Sequence, residues 1–570
     1  MPIDPTLLRP SEEGGDAELV LKSQQLRGGH GHAIIDVIKG LQQFDTQRRA
    51  AVSDLNIARR DLNEHKRSLR PRISNDDIIG DDCVDRGAIK EQMRELQTKV
   101  IPELQESVSK LEIRIGQELL PKLANIVDES AFSLEGQKAC EPISKDKEDG
   151  IIHDPLFCLG GCEMLPTINP GKGKEAEKKS SQKWILTGCG ISLSDALMKY
   201  ANSFLNQRLC KDDSHRAGYK MLQCPATAPM DTNSSHNLLG CSASCPVCSE
   251  GTSTFRAPSF ITPAKIHAGK SYPDAKLPIY HVFKTDERSG DSREPHTKDA
   301  CRLFAHPTER LSMFALTLPS LASSRSLQDQ MGGILLEFFE SLLVPSDTSK
   351  LSFANRNHRR TNVLLPMVQA RTVDASSLAM NECRRIVVEG FLPSADSYIE
   401  LASVCNTSDY VSRVLGIKSH GTKVGKCKLQ GGSVEHLHII HGTICDAQVA
   451  LTWAMENNTA RLSWSPGTVI EGVALPRMLS DSMDNVGEYE SRHLNDSVSF
   501  LPFCRRILNG KKGKAIVKEV EERSKLENLE GKSSAKEKVE FAIDRPPTKR
   551  EVEAEALSNP FAFLPIGMKF

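Results

Sequence analysis

The 570 residues carry 73 Lys and Arg against 74 Asp and Glu, a formal net charge of −1, which excludes a global basic field; any nucleic-acid contact must rest on a local patch. Apolar residues make up 39% and charged ones 26%, the balance of an ordinary soluble globular chain long enough for two or three domains. No uninterrupted apolar run approaches the roughly 20 residues of a membrane span, and 16 cysteines spread over this length suit a reducing compartment better than a small disulfide scaffold.

The first segment, Met1–Val20, carries Asp4, Glu12, Glu13, Asp16 and Glu18. That acidity argues against a transit peptide, no apolar signal core follows, and the expected location is the cytoplasm. Over Ile34–Lys66, apolar side chains recur on one helical stripe: Ile34, Ile38, Leu41, Val52, Leu55 and Leu62, with Arg48 and Arg59 interrupting the seam. A second stripe follows through Met93, Leu96, Val100, Leu104, Val108, Leu111 and Ile115. Two such helices joined by the polar stretch Pro71–Gly87 predict an antiparallel helical hairpin, a coiled-coil arm, with a kink or a helix start at Pro102. The first helix carries Arg48, Arg49, Arg59, Arg60, Lys66, Arg67 and Arg70. These cations read either as a solvated face or as a contact for RNA phosphate.

Cys140–Gln182 is polar and reads as a linker. Ile191–Leu209 predicts a helix capped by Ser192, with Asp195 three residues on and Leu193, Leu197, Tyr200 and Phe204 on one face. A strand is expected over Tyr219–Pro225. The insertion Asp231–Thr254 holds Cys241, Cys245 and Cys248, with His236 and Cys224 upstream. Three thiols so spaced read as zinc ligands with His236 or Cys224 as the fourth, or as a Ser/Cys-rich loop. Leu327–Leu343 predicts an amphipathic core helix, Arg385–Glu389 a strand, and Arg505–Phe570 a charged, mostly disordered tail.

Several of these segments are similar to seryl-tRNA synthetases of the eukaryotic cytosolic type. The similarity lies in Met1–Arg27 with its Gly14-Gly15-Asp16 and Lys22-Ser23-Gln24, in Gln117–Ser130, in the helix-then-strand ending at Pro225, in Tyr398–Gly416 and in Val434–Leu451. The resemblance implies an α+β fold: an N-terminal helical hairpin arm laid on serine tRNA, and a class II synthetase-like antiparallel sheet flanked by helices. It implies a homodimer with ATP, magnesium and serine as ligands of an active site, and no membrane. The implied domains are 1–130 for the arm, 131–183 for a linker, 184–504 for the catalytic domain with the Cys-rich insertion at 231–254, and 505–570 for the tail. Within the arm, Arg48, Arg59 and Arg60 would meet the tRNA.

By that resemblance Glu400 and Ser403 would hold the divalent ion, oxygen ligands suited to a hard cation provided the chain bends enough for both to reach one site. Glu389 sits at a family carboxylate position, whereas the aspartate two residues before it has become Val387. The Phe-Arg-x-Glu motif admits two registers. Phe283-Lys284-Thr285-Asp286 replaces the arginine by Lys284; a gapless count puts Arg288 in the slot, and then Gly290 replaces the glutamate. Arg302 and His306 are the downstream remnants, with Thr308 in place of an aromatic ring. The serine-reading Thr-x-Glu becomes Thr262-Pro263-Ala264. In the last motif His441 replaces an asparagine, Gly442 and Thr443 survive, and the phosphate-clamping arginine has become Val449. Adenylate formation gathers negative charge on phosphoryl oxygens, and each lost donor costs about 3 to 4 kcal/mol. Two readings follow: a tRNA-binding protein with adenylate formation lost or strongly weakened, or a working serine–tRNA ligase with a rearranged ATP site.

Overall fold

The computed structural model describes residues 3–9, 11–28, 32–69, 83–131, 155–164, 184–209, 220–223, 228–229, 254–255, 260–288, 307–345, 351–353, 366–395, 397–420, 435–465, 468–483, 492–495 and 497–503. Every described residue except Thr468 belongs to one compact unit. The Cys-rich insertion with His236, Cys241, Cys245 and Cys248, and the tail, lie outside the described residues.

After α1 (Ala17–Leu26), the long α2 (His32–Ser68) packs against a second helical run made of α3 (Cys83–Glu95), a wide turn Leu96–Val100, α4 (Ile101–Ile113) and a second wide segment Arg114–Leu119. The two run antiparallel: Gly40 faces Leu119, the Arg114 guanidinium lies 4.4 Å over the Phe44 ring, and Arg48 comes within 3.9 Å of Glu112. Ile38, Leu41, Leu55 and Leu62 are buried on the seam. Ala58, not Arg59, takes the remaining place, and Arg59 and Arg60 face outward. Arg48 is held at the seam because the buried Asp45 carboxylate accepts from it at 2.9 Å and from Arg9 at 3.0 Å, with the Arg49 guanidinium in ion-pair range at 3.3 Å. The second stripe follows its spacing, with Met93, Leu96, Val100, Leu104, Val108 and Leu111 half-buried and Ile115 buried. Pro102 stands in the first turn of α4, the expected helix start, although the backbone runs into it from the wide turn without a break. The Ile101 N–H reaches back five residues to the Leu96 carbonyl, a widened turn that makes room for a ring unable to donate.

The chain leaves the arm through a buried strap. Gln24 brackets Ala124, donating to its carbonyl at 2.8 Å and accepting from its N–H at 3.2 Å. Asn125 donates to the Asn381 and Thr407 carbonyls at 3.0 and 2.8 Å. Arg27 donates to the carbonyls of Ala379 (2.9 Å) and Glu382, and the buried Asp128 takes Arg325 at 2.5 Å. Helix α1, the strap and the loop before residue 384 are thereby one hydrogen-bonded body.

The remaining elements are α5 (Cys189–Leu209), β1 (Lys220–Gln223), α6 (Ile261–Ile266), β2 (Ile279–Arg288), β3 (Pro307–Thr317), α7 (Leu321–Ser341), β4 (Val368–Thr372), β5 (Arg384–Leu392), β6 (Ser397–Asn406), α8 (Tyr410–Leu415), β7 (His438–Asp446) and α9 (Ala447–Asn457). Seven strands form one sheet in the order β4-β5-β6-β7-β3-β2-β1, antiparallel throughout except for the parallel β1–β2 pair. Helices α5, α7 and α9 cover one face. Leu193, Leu197, Leu335, Phe338, Phe339 and Trp453 form the core there with Val388, Val404 and Ile440 of the strands. Helix α5 starts at Cys189, three residues before the expected cap, because burying Cys189 and Leu193 one turn apart adds a turn. Helix α7 starts six residues earlier than its apolar pattern suggested, capped by the Ser320 hydroxyl. Within the stretch read as a linker, a strand Cys162–Met164 pairs with Trp184–Leu186, and Leu159 is buried against the main core. A second, five-stranded sheet follows, with Thr468–Pro476 at its centre.

Candidate functional site

The sheet face away from α5, α7 and α9 carries the polar residues. Antiparallel pairing sets them in cross-strand rows, with directly opposite residues close enough to interact. One row runs Ser312 (β3), Thr443 (β7), Ser403 (β6), Val387 (β5) and Arg371 (β4). The next runs Phe314, His441, Cys405 and Arg385. On the other side of the hydroxyl row, Glu400 lies opposite Glu389, which lies opposite Gln369.

Residues three apart on a regular strand point to opposite faces, so Glu400 and Ser403 would not meet. A bulge in β6 brings them together. Glu400 pairs with Glu389 and Ala402 with Val388, which leaves Leu401 as an extra residue. Leu401 and Ala402 both enter the helix-covered core, and Glu400 returns to the face of Ser403. Strand β7 repeats the device: Thr443 pairs with Ser312 and Cys445 with Leu311, Ile444 and Cys445 both enter the core, and Asp446 comes to lie opposite Arg310.

This face is not short of guanidinium, contrary to the sequence expectation; among the described residues it holds three, each on a carboxylate. Arg371 grips Glu389 with both ends of its fork, Nε to Oε2 at 2.8 Å and Nη2 to Oε1 at 2.6 Å. Arg385 donates from Nη2 to Glu400 Oε1 at 2.5 Å. Arg310 Nη2 is 3.4 Å from Asp446 Oδ2, and Asp446 also caps α9 through the Val449 N–H. Burial alone would lower the Arg385 pKa, but the neighbouring Glu400, with Cys405 and Glu382, moves it upward overall. Its charge is fixed. Glu382 is buried beside it; burial pushes that carboxyl up, Arg385 and the Ala379 N–H pull it down, and the net shift is downward.

The Phe260 ring, one residue ahead of α6, stacks on His441 with centroids 3.8 Å apart and planes 12° from parallel. Burial lowers the His441 pKa to about 4. A second buried pair lies along the same face: His267 and His281 meet ring to ring at 2.8 Å, with Tyr272 2.6 Å from the other His267 nitrogen. Burial first, and His281 second, lower His267 to about 4. His441 and His267 are neutral in the fold, while in the unfolded chain they take a proton below about pH 6.5. The stability they contribute is therefore complete above that pH and is lost as pH drops toward 4. Thermal melts between pH 7 and 4.5 are expected to show this loss, smaller in His441→Gln; a flat profile would contradict the neutral assignment.

The expected site residues divide by position. Glu400, Ser403, Glu389, Thr443 and His441 share the polar face. Lys284 lies opposite Leu311 on the helix-covered side and is 3.9 Å from Glu309, so this register does not bring its amine to the carboxylates. Arg288 ends β2 and Thr308 is the second residue of β3, but their side chains, like all of Arg302 and His306, lie outside the described residues. Thr262 is half-buried in α6, and Ala264 is fully buried in the apolar cluster with Phe283 and Phe314, where a carboxylate would have little to pair with. Val449 lies in the first turn of α9 and is buried in the core. Arg310, Arg371 and Phe260 were not expected. Arg385 has the strand alternation of Val387 and Glu389, a signal present in the sequence; Arg371 is placed only by the register of β4.

Arg385 engages one oxygen of Glu400, Oε1, and the Glu400 side chain is 42% exposed, so Oε2 and the Ser403 hydroxyl are the oxygens through which a hard divalent ion would be held. Arg371 takes both oxygens of Glu389. Among the described residues no group of three His, Cys, Asp or Glu could hold a metal.

The chain is similar to known serine–tRNA ligases. It is 22% identical to a serine–tRNA ligase of Helianthus annuus over 505 residues, 84% of this chain and 97% of the relative. It is equally similar to the cytoplasmic serine–tRNA ligase of Schizosaccharomyces pombe, over 88% of this chain and 98% of the relative. No family model matches. The fold matches a cytoplasmic serine–tRNA ligase from Naegleria fowleri solved with AMP, at a TM-score of 0.58, 20% identity and coverage of 88% of this chain and 98% of that one. It also matches seryl-tRNA synthetase from Pyrococcus horikoshii solved with ATP, at 0.53, 16% identity, 84% and 98%.

Proposed function

We propose, from the chain's place as a divergent class II relative of the seryl-tRNA synthetases, that it is a cytoplasmic tRNA-binding protein in which serine adenylate formation is lost or strongly weakened. One observation carries this: Arg310, Arg371 and Arg385 each already neutralise a carboxylate of the polar face. ATP phosphates would have to break or share those pairs. Phe260 on His441 and the buried Ala264 add that the surroundings of Thr443 suit an aromatic ring better than the ammonium of serine. The presence of those same guanidinium groups favours the second reading, a serine–tRNA ligase with a rearranged ATP site; charging of serine tRNA with labelled serine separates the two, since the first reading expects binding without product.

The arm supplies the RNA contact in this proposal. Arg59 and Arg60 are exposed and carry no ion pair with a described residue, whereas Arg48 and Arg49 are held by Asp45. Free cations are the ones able to release counterions from RNA. Arg59→Glu with Arg60→Glu is expected to weaken serine-tRNA binding at least tenfold at low salt and to flatten its salt dependence by about one or two contacts. Unchanged affinity in a filter-binding titration would remove the arm from the interface. A homodimer built through α5 and β1 belongs to the same proposal, and sedimentation measures it.

A further inference from the structure

We propose that the arm has a second working edge: opposite the basic edge of α2, a grooved and acidic edge docks a lysine- and arginine-rich segment of a partner protein. This docking edge is independent of the RNA contact proposed above, and its test keeps the two apart.

The heptad register of α2 sorts its surface. Leu41, Arg48, Leu55 and Leu62 mark one row of the seam, and Phe44, Ala51 and Ala58, three residues on, mark the other. Beside the first row lie Arg49, Val52, Asn56, Arg59, Asn63 and Lys66, with three cations and no carboxylate. Beside the second lie Gln47, Ala50, Asp54, Ile57, Asp61 and Glu64, with three carboxylates and no cation. Because Ala51 is short, a groove of about 430 Å³ opens between α2 and α4 on this second edge. Ala51 and Leu111 form its apolar part, and Gln47, Glu103, Glu106 and Lys110 stand around it. Glu106 is engaged by Lys110 at 2.8 Å, whereas Asp54, Asp61, Glu64 and Glu103 are exposed and form no ion pair with a described residue.

Like charges along one edge repel each other, so helix stability gives no reason to gather them; a cation laid among them does. The groove selects the shape of that cation. Lysine and arginine carry a long apolar stem below the charge, and Ala51 and Leu111 suit the stem while Glu103 and Asp54, one turn beyond Ala51, suit the head. Ile57, 50% exposed, extends the apolar surface past the groove. RNA is repelled here by like charge, and so is a second copy meeting this edge with its own. A basic protein segment is the occupant whose charge complements it.

The probe is a fluorescein-labelled helical peptide of Lys, Leu and Ala, with a control peptide in which Glu replaces Lys, each titrated with the full chain by fluorescence anisotropy at low salt. The Lys peptide is expected to bind at least about tenfold tighter than the control. Asp54→Lys with Glu103→Lys should weaken it about tenfold or more and leave serine-tRNA binding intact, while Arg59→Glu with Arg60→Glu should do the reverse. All four positions are exposed, and a circular-dichroism melt checks the fold of each variant. Ala51→Leu fills the groove at a seam position without touching a charge, and should weaken the Lys peptide severalfold. Unchanged affinity in Ala51→Leu would mean a diffuse acidic field without a docking site, and overturns the proposal. So does equal binding of the two peptides, no binding of either, or equal binding to the native and charge-reversed chains. Self-association lost on reversing Asp54 and Glu103, measured by sedimentation, would assign the edge to a second copy instead.

Discussion

Asn125→Ala is expected to lower the stability of the chain by about 3 kcal/mol, more than any single substitution on the exposed arm. Asn125 is 4% exposed and stands where the strap leaving the arm crosses two loops of the sheet. Its Nδ2 donates to the carbonyls of Asn381 and Thr407, its Oδ1 accepts the Ile126 N–H at 2.8 Å, and its own N–H reaches the Met380 carbonyl at 2.6 Å. Alanine keeps the last bond and strands the other three backbone groups in a dry place. Each costs about 1–3 kcal/mol, and because neighbours do not add, the total stays near the low end of the roughly 3–9 kcal/mol that a simple sum would give. Urea denaturation at neutral pH measures it. A loss below about 1 kcal/mol would mean that water reaches the strap and that the arm is not fixed to the sheet as described.

Such a network shows which parts of the molecule were legible beforehand. The second arm helix could be read residue by residue, since Met93 to Ile115 repeat at three- and four-residue spacing and nothing competes for the seam. On the first helix the same reading took Arg59 for a seam residue, because the apolar places at 55 and 62 left one position between them unassigned and small Ala58 gave no signal. The core helix α7 was legible for its buried part but not for its start, where Ser320 rather than an apolar residue sets the boundary. Asn125 was invisible: its partners lie more than 250 residues away, and no local pattern reports them.

On the polar face the carboxylates and Thr443 came from resemblance, and the geometry that unites them did not. Glu400 and Ser403 share a face only through the extra residue Leu401, and a bulge is written in strand pairing rather than in spacing. Charges misled in the opposite direction. Val449 and Lys284 suggested a face stripped of cations, but Arg371 and Arg385 enter from β4 and β5, whose register fixes what stands beside what. What changed was the arrangement: guanidinium groups are present, and their charge is spent on Glu389, Glu400 and Asp446.

That distinction decides the chemistry. Activating serine requires its carboxylate to attack the α-phosphorus of ATP while pyrophosphate departs, and the charge gathering there needs cations not already neutralised. Losing one such donor lowers the rate by roughly 10²–10³, and several acting together are not simply additive. Serine-dependent ATP–pyrophosphate exchange, measured on the purified chain beside a serine–tRNA ligase with intact motifs, tests this most directly. Exchange at least about 10³-fold below the comparison enzyme is predicted. Exchange within about tenfold of it would show that the paired guanidinium groups let go of their carboxylates to hold phosphate, and would contradict the account.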